Sequence, residues 1–183
     1  LLDVQEGMRV VDACAGAGGK TLHLAALMKN KGQIIALDIY EWKLAELKRR
    51  AKRAGAHNIE TRFIEDNKVI KRLHEKADRL LIDAPCSGLG VLKRNPDSKW
   101  KIDQDFIDRI KNEQQQILQD YSKMLKKGGK MVYATCSILP SENNEQVETF
   151  LKNNEGFTLL KEEKVMPSDG FDGFYMALIQ RNA

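Results

Sequence analysis

The ten residues Arg79-Leu80-Leu81-Ile82-Asp83-Ala84-Pro85-Cys86-Ser87-Gly88 constrain this chain more than any others. They start as an apolar run, which reads as a buried strand of a parallel sheet. Pro, Ser and Gly then stop the strand in a loop. Asp83 and Cys86 therefore emerge together at the carboxyl end of a central strand, the edge at which open α/β sheets bind ligands. A second thiol arrives in the same way in Val132-Tyr133-Ala134-Thr135-Cys136-Ser137.

The rest of the chain alternates strands and helices around these two segments. Met8 to Ala13 reads as a first strand, followed by the loop Cys14-Ala15-Gly16-Ala17-Gly18-Gly19-Lys20-Thr21 and a helical pattern through Leu22, Leu24, Ala25, Leu27 and Met28. Strand, glycine loop and helix is the geometry that turns backbone N–H groups toward a nucleotide-like ligand. Gln33 to Asp38 is a second strand. Its terminal Asp38 lies about 20 residues past the glycines, where a carboxylate can accept both ribose hydroxyls. Glu41 to Ala54 reads as an amphipathic helix stopped by Gly55. Ile59 to Ile64 is a third strand, with Asp66 just past its end.

Asp103 caps a long helix whose apolar stripe runs Phe106, Ile110, Ile117, Tyr121 and Leu125, with Gly128-Gly129 ending it. Lys130 to Cys136 is the next strand, and Pro140-Ser141 starts a helix through Val147, Phe150 and Leu151. Phe157 to Leu160 and Gly173 to Ile179 are late strands. The connection between them is too short for a helical crossover, so they are expected to be antiparallel. The pattern predicts an α/β fold of the Rossmann-like methyltransferase type. Its sheet has seven mostly parallel strands with one antiparallel member, and helices cover both faces.

Composition narrows the class. A length of 183 residues suits one domain, 1–183, with a full core. No apolar run approaches the ~18 residues of a membrane helix, and no signal segment opens the chain. Three cysteines make a poor disulfide framework, so they read as reduced thiols of a cytoplasmic protein. The chain starts Leu-Leu and is expected to be a fragment of a longer protein. The formal charge of +4 favours a polyanionic partner. Lys93, Arg94, Lys99 and Lys101 crowd around Trp100 just after the Cys86 strand. Beside an extruded base such residues suit RNA contact, although Trp100 could instead pack beneath the loop. A monomer is expected, with no metal and no membrane association.

The glycine loop alone is a weak signal. Gly16-x-Gly18 lacks the third glycine of a dinucleotide fingerprint. Gly19-Lys20-Thr21 resembles a phosphate loop, but the glycine required five residues earlier is Cys14. Together with Asp38 and Asp66 at successive strand ends, the loop instead suits a cofactor carrying a ribose and an adenine but no phosphate. S-adenosylmethionine is such a cofactor.

Two strand-end thiols fit one chemistry. Carbon 5 of a cytosine is a poor nucleophile until a thiolate adds to carbon 6. It can then take a methyl group, lose its proton and expel the thiol. Asp83 can hold the ring nitrogen 3 and amine edge of that base. Lys20 lies close enough to orient or neutralise these groups. Which thiol attacks does not follow from this chemistry.

The segments Asp12 to Thr21, Asp83 to Gly88, and Tyr133 to Ser137 with Glu142-Asn143 resemble those of the Sun-type RNA cytosine-5 methyltransferases. The resemblance runs from Gly7 to Asp172-Gly173-Phe174, and its nearest members are bacterial enzymes acting on small-subunit ribosomal RNA. It implies that Cys136 is the nucleophile and that Cys86 assists release of the methylated RNA. It further implies that Cys14, Ala15, Gly16, Ala17, Gly18, Gly19 and Lys20 line the cofactor site with Asp38, Asp66 and Asp83. Lys20 and Asp83 would also face the target base. The family loop usually reads Ala-Pro-Gly-Gly-Lys, and here Gly16-Ala17 replaces Ala-Pro. The family's N-terminal RNA-recognition segments are absent from these residues. Within the family a transfer-RNA target is the alternative, and a non-catalytic RNA-binding module is the alternative outside it.

Overall fold

A computed structural model describes all residues from Leu1 to Ala183. Seven strands form one sheet: β1 (Arg9–Asp12), β2 (Gln33–Asp38), β3 (Ile59–Phe63), β4 (Ala77–Asp83), β5 (Leu125–Thr135), β6 (Phe157–Val165) and β7 (Phe174–Arg181). Their spatial order is β3-β2-β1-β4-β5-β7-β6. β7 runs antiparallel to both of its neighbours and every other pair is parallel, as the alternation predicts.

Six helices connect the strands: α1 (Gly19–Leu27), α2 (Glu41–Arg53), α3 (Asn67–Lys71), α4 (Ser98–Lys101), α5 (Gln104–Tyr121) and α6 (Asn144–Lys152). Successive strand residues face opposite sides of the sheet, so the central strands must be apolar on both. Leu80 and Ile82 of β4 pack in one cluster with Ile70, Ile117, Leu118, Val147 and Phe150, from α3, α5 and α6. Leu81 faces the other way, toward Leu24 and Ala25 of α1. Ala36 of β2 meets Leu44, Leu47 and Ala51 of α2.

The start of α5 follows the expected chemistry. Asp103 caps α5 by accepting a hydrogen bond from the Phe106 N–H at 2.7 Å. The end of this helix differs from the sequence reading. It stops at Tyr121, a 3-10 turn covers Ser122–Met124, and Leu125 already belongs to β5, paired with Ala77. Gly128, at φ 74°, sits inside that long strand where its register against β4 shifts, and marks an irregularity rather than the helix stop. Pro140 likewise opens a 3-10 turn, Pro140–Glu142, before α6 starts at Asn144. β6 extends to Val165 through Lys161-Glu162-Glu163-Lys164, a run too polar to read as strand. It is tolerated because β6 is the sheet edge, where charge discourages pairing with another chain.

One glycine of the first loop is required by both conformation and space. Gly18 has φ 86°, and a Cβ there would stand 2.5 Å from Cγ of the fully buried Leu47. The loop can turn into α1 against α2 only because this side chain is missing. The substitution Gly18→Ala is expected to cost about 1–3 kcal/mol, read as a lower urea midpoint with an unchanged slope.

Candidate active site

The glycine loop is tied to β2 by a carboxylate. Asp38 accepts the Gly16 N–H on one oxygen and the Tyr40 N–H on the other, both at 2.8 Å. Arg50 of α2 donates to the Ala17 carbonyl at 2.8 Å. A cavity of about 740 Å³ opens beside this loop, at the carboxyl ends of β1, β2 and β4. Cys14, Gly16, Asp38, Asp83 and Cys86 line it from the sheet, and Glu113, Asp120 and Tyr121 of α5 close it from above. Asp38, Asp83, Glu113 and Asp120 face Lys43 as the single basic lining residue. Such a cavity attracts a cationic ligand and repels a triphosphate.

The expected cofactor residues fall into two groups. Cys14, Gly16, Asp38 and Asp83 line the cavity. Ala15 is buried with Ala36, Leu44 and Leu47, and Gly18 abuts Leu47, so both shape the loop from behind. Ala17 offers its carbonyl to Arg50, and Gly19 with Lys20 opens α1. Asp66 caps α3 by accepting the Lys68 N–H at 2.8 Å, and its neighbour Asn67 lines the cavity. Burial pushes the Cys14 thiol up, which keeps it neutral. Asp12, at the end of β1, is buried, and one of its oxygens has no partner. The other accepts the Thr21 hydroxyl at 2.7 Å. Desolvation raises the Asp12 carboxyl to about 7.

The second half of the site joins β4 to β5. Lys20 Nζ lies 2.5 Å from Asp83 Oδ2 and 5.2 Å from the centre of the Phe174 ring. Cys86 Sγ and Cys136 Sγ are 3.1 Å apart, both half-buried and unoxidised. The hydrogen bond between the two sulfurs is the main reason the Cys136 thiol is lowered to about 7; burial and Asp83 oppose it, and Lys20 adds to it. The same bond and burial raise Cys86. The contact therefore shifts the two thiols in opposite directions. Gly90 permits the loops to close: a Cβ there would meet the Cys136 carbonyl at 2.7 Å, where the Gly90 N–H now donates at 2.9 Å.

The sequence reading missed the residues behind this pair. Ser87 and Ser137, each following a cysteine, both donate hydroxyls to Glu142, which is fully buried. A repeated Cys-Ser at two strand ends was the available signal, but nothing in it points to Glu142. Of the basic residues near Trp100, Arg94 pairs with Asp172 at 2.8 Å, and Lys93, Lys99 and Lys101 are exposed. Trp100 does not pack under the loop; it is 81% exposed, with Lys99 Nζ 4.9 Å from its ring centre.

Residues 1–180 match the family model for 16S rRNA methyltransferase RsmB/F. The chain belongs to the RsmB/F family. Among curated relatives it is 39% identical over 193 residues to ribosomal RNA small subunit methyltransferase B of Yersinia enterocolitica, covering 99% of this chain and 44% of that protein. It is 39% identical over 157 residues to the probable ribosomal RNA small subunit methyltransferase B of Bacillus subtilis, covering 85% of this chain and 35% of that protein. The chain thus spans less than half the length of these relatives. The crystal structure of NSun6 from Pyrococcus horikoshii with SFG superposes with a TM-score of 0.88 at 29% identity, over all of this chain and 50% of the other. The RsmB/F fold is therefore the methyltransferase fold expected from the strand order. No helix is long and apolar enough to cross a membrane.

Two pH effects follow from the shifted groups. Alkylation of Cys136 by iodoacetamide is expected to rise through a midpoint of about 7. In Cys86→Ala, which lacks that hydrogen bond, the midpoint moves up toward the ordinary thiol value of about 8.5; peptide mass spectrometry across neutral pH reads both. For Asp12 the folded carboxyl binds its proton more tightly than the unfolded one. Stability therefore falls as pH rises from about 4, the unfolded value, to about 7. Thermal melts of Asp12→Asn should lose that slope.

Proposed function

We propose that this chain is the catalytic part of an S-adenosylmethionine-dependent RNA methyltransferase that forms 5-methylcytosine in small-subunit ribosomal RNA. The observation that carries the reading is the 3.1 Å contact of Cys86 and Cys136 beside the Lys20–Asp83 pair. A non-catalytic RNA-binding module has no use for two thiols in contact, one of them lining a ligand cavity. The membership in RsmB/F and the SFG-bound relative, whose ligand is an S-adenosylmethionine analogue, support the cofactor assignment. The cavity's own chemistry fits the same group. Its four carboxylates suit a positive sulfur and amine, and Asp38 has lone pairs left for ribose hydroxyls.

S-adenosylmethionine supplies the methyl group on a cationic sulfur. The chain's residues do the rest. Asp83, held by Lys20, accepts hydrogen bonds from the cytosine amine and from a proton carried on ring nitrogen 3, and that proton draws electron density from carbon 6. The Cys136 thiolate adds to carbon 6, forming a carbon–sulfur bond and leaving the displaced electron pair on carbon 5, where the methyl group is accepted. Loss of the carbon 5 proton to a base restores the ring double bond and expels Cys136 as thiolate. Cys86, at hydrogen-bond distance from that sulfur, assists the expulsion. Lys93, Arg94, Lys99 and Lys101 supply positive charge for the RNA backbone next to the extruded base.

Calorimetry separates this reading from a nucleotide hydrolase: S-adenosylmethionine should bind and ATP with magnesium should not, and the reverse result would remove the methyltransferase assignment. With small-subunit ribosomal RNA and a labelled methyl donor, Cys136→Ala is expected to fall to background while keeping cofactor affinity. Cys86→Ala should instead accumulate a protein–RNA adduct that survives denaturing electrophoresis. Full activity of Cys136→Ala, or transfer confined to transfer RNA, would correct the nucleophile or the substrate respectively.

A further inference from the structure

The acid that reaches both cysteine loops has no part in the chemistry above, yet all but one of the donors around it come from the segments that carry the thiols. Glu142 is fully shielded from solvent. A buried carboxylate persists only when donors surround it. One oxygen, Oε1, accepts the Ser87 N–H at 2.7 Å and the Gln114 side-chain amide of α5 at 3.2 Å. The other, Oε2, accepts the Ser87 hydroxyl at 2.5 Å and the Ser137 hydroxyl as well.

The two serines are oriented alike. The Ser87 hydroxyl oxygen faces the Leu89 N–H at 3.4 Å and that of Ser137 accepts the Leu139 N–H at 3.1 Å, so each hydroxyl proton is left to point at the acid. The two oxygens approach to 3.3 Å. Gln114 also donates to the Pro85 carbonyl at 2.9 Å, which pins the residue before Cys86. The acid itself is anchored to β5, because the Tyr133 hydroxyl donates to the Glu142 carbonyl at 2.8 Å. Cys86 and Cys136 each lie one residue from a serine held on the same carboxylate oxygen.

We infer that Glu142 is a positioning residue that clamps the loop after β4 to the loop after β5 and so holds the two cysteine sulfurs in contact. The inference rests on the reading that these thiols are the reacting pair, but the sulfur–sulfur contact can be measured without any RNA. Without the clamp the loops are joined near the sulfurs mainly through the Gly90–Cys136 backbone bond. The Cys86 thiol then no longer reliably meets Cys136. Both the thiolate and the release step depend on that meeting.

Phenylarsine oxide tests the contact directly, because its arsenic bridges two thiols only when they are close. Two arsenic–sulfur bonds form, the thiol protons leave with the arsenic-bound oxygen as water, and nothing is oxidised. Bridging is followed by intact mass spectrometry, with Cys86→Ala as the protein that cannot be bridged. In Glu142→Gln, bridging and kcat should each slow by about tenfold or more. S-adenosylmethionine affinity and its KM should stay within about twofold, because Glu142 does not line the cofactor cavity. Ser87→Ala and Ser137→Ala, which each remove one hydroxyl donor, should fall partway on both readouts. They decide the question by the same measurements if Glu142→Gln does not fold.

Unchanged bridging in these variants overturns the clamp, even if kcat falls, since the acid would then act by another route. Slower bridging in a chain whose wild type shows no cytosine methylation leaves the clamp standing and removes the cytosine reading instead.

Discussion

The parallel ladder between β4 and β5 is the contact on which the site depends. It sets Asp83 beside Ala134, and one further backbone bond joins Ala84 N–H to the Ala134 carbonyl at 2.9 Å. Both strands then end at the same height and both chains must turn out of the sheet together. Two cysteines separated by 50 residues in sequence become neighbours because each sits just past the end of its strand. The neighbouring β1–β4 register places Asp12 beside Leu81, so the glycine loop leaves the sheet on the same edge. A shift of one residue in either ladder would turn every side chain to the opposite face and bury the wrong set.

On this frame the site is organised by charge. Carboxylates at the ends of β2 and β4 and on α5 make the cavity acidic, and Lys20 neutralises the one nearest the thiols. The same pairing offsets the effect of Asp83 on the Cys136 thiol, which Asp83 raises and Lys20 lowers. Behind the thiols a second polar layer, Ser87, Ser137, Gln114 and Glu142, is closed to solvent. The two layers have different physical jobs: the outer one meets ligands, and the inner one ties the two cysteine loops to each other.

Where the sequence reading departed from the structure, the reasons are local. The helical spacing to Leu125 was real, but this residue is drawn into β5 by pairing with Ala77, and ladder bonds outweigh periodicity there. β6 runs past the four residues, 157–160, that its apolar pattern predicts, because an edge strand carries a charged run that a central strand cannot. Asp66 lies at a strand end as expected, yet the backbone N–H of Lys68 claims its side chain for a helix cap. A strand-end acid can serve either as a ligand or as a cap, and sequence position does not separate the two.

The short helices α3 and α4 were not legible in sequence, whereas the order of the seven strands along the chain, the parallel sheet with its single reversed strand, the strand-end acids and the two thiols all were. Each of these leaves a local trace: an apolar run of strand length, a glycine turn, or a reactive side chain where the run stops. The direct contact of the two sulfurs, the acidity of the cavity and the role of Glu142 were not legible. They depend on distances between segments remote in sequence, namely α5 across the mouth of the cavity and the turn after Leu139 folding back under both cysteines. A buried carboxylate has the same letter as a solvated one. Only the packed chain decides that Glu142 is surrounded by donors rather than by water, because those donors come from three different elements.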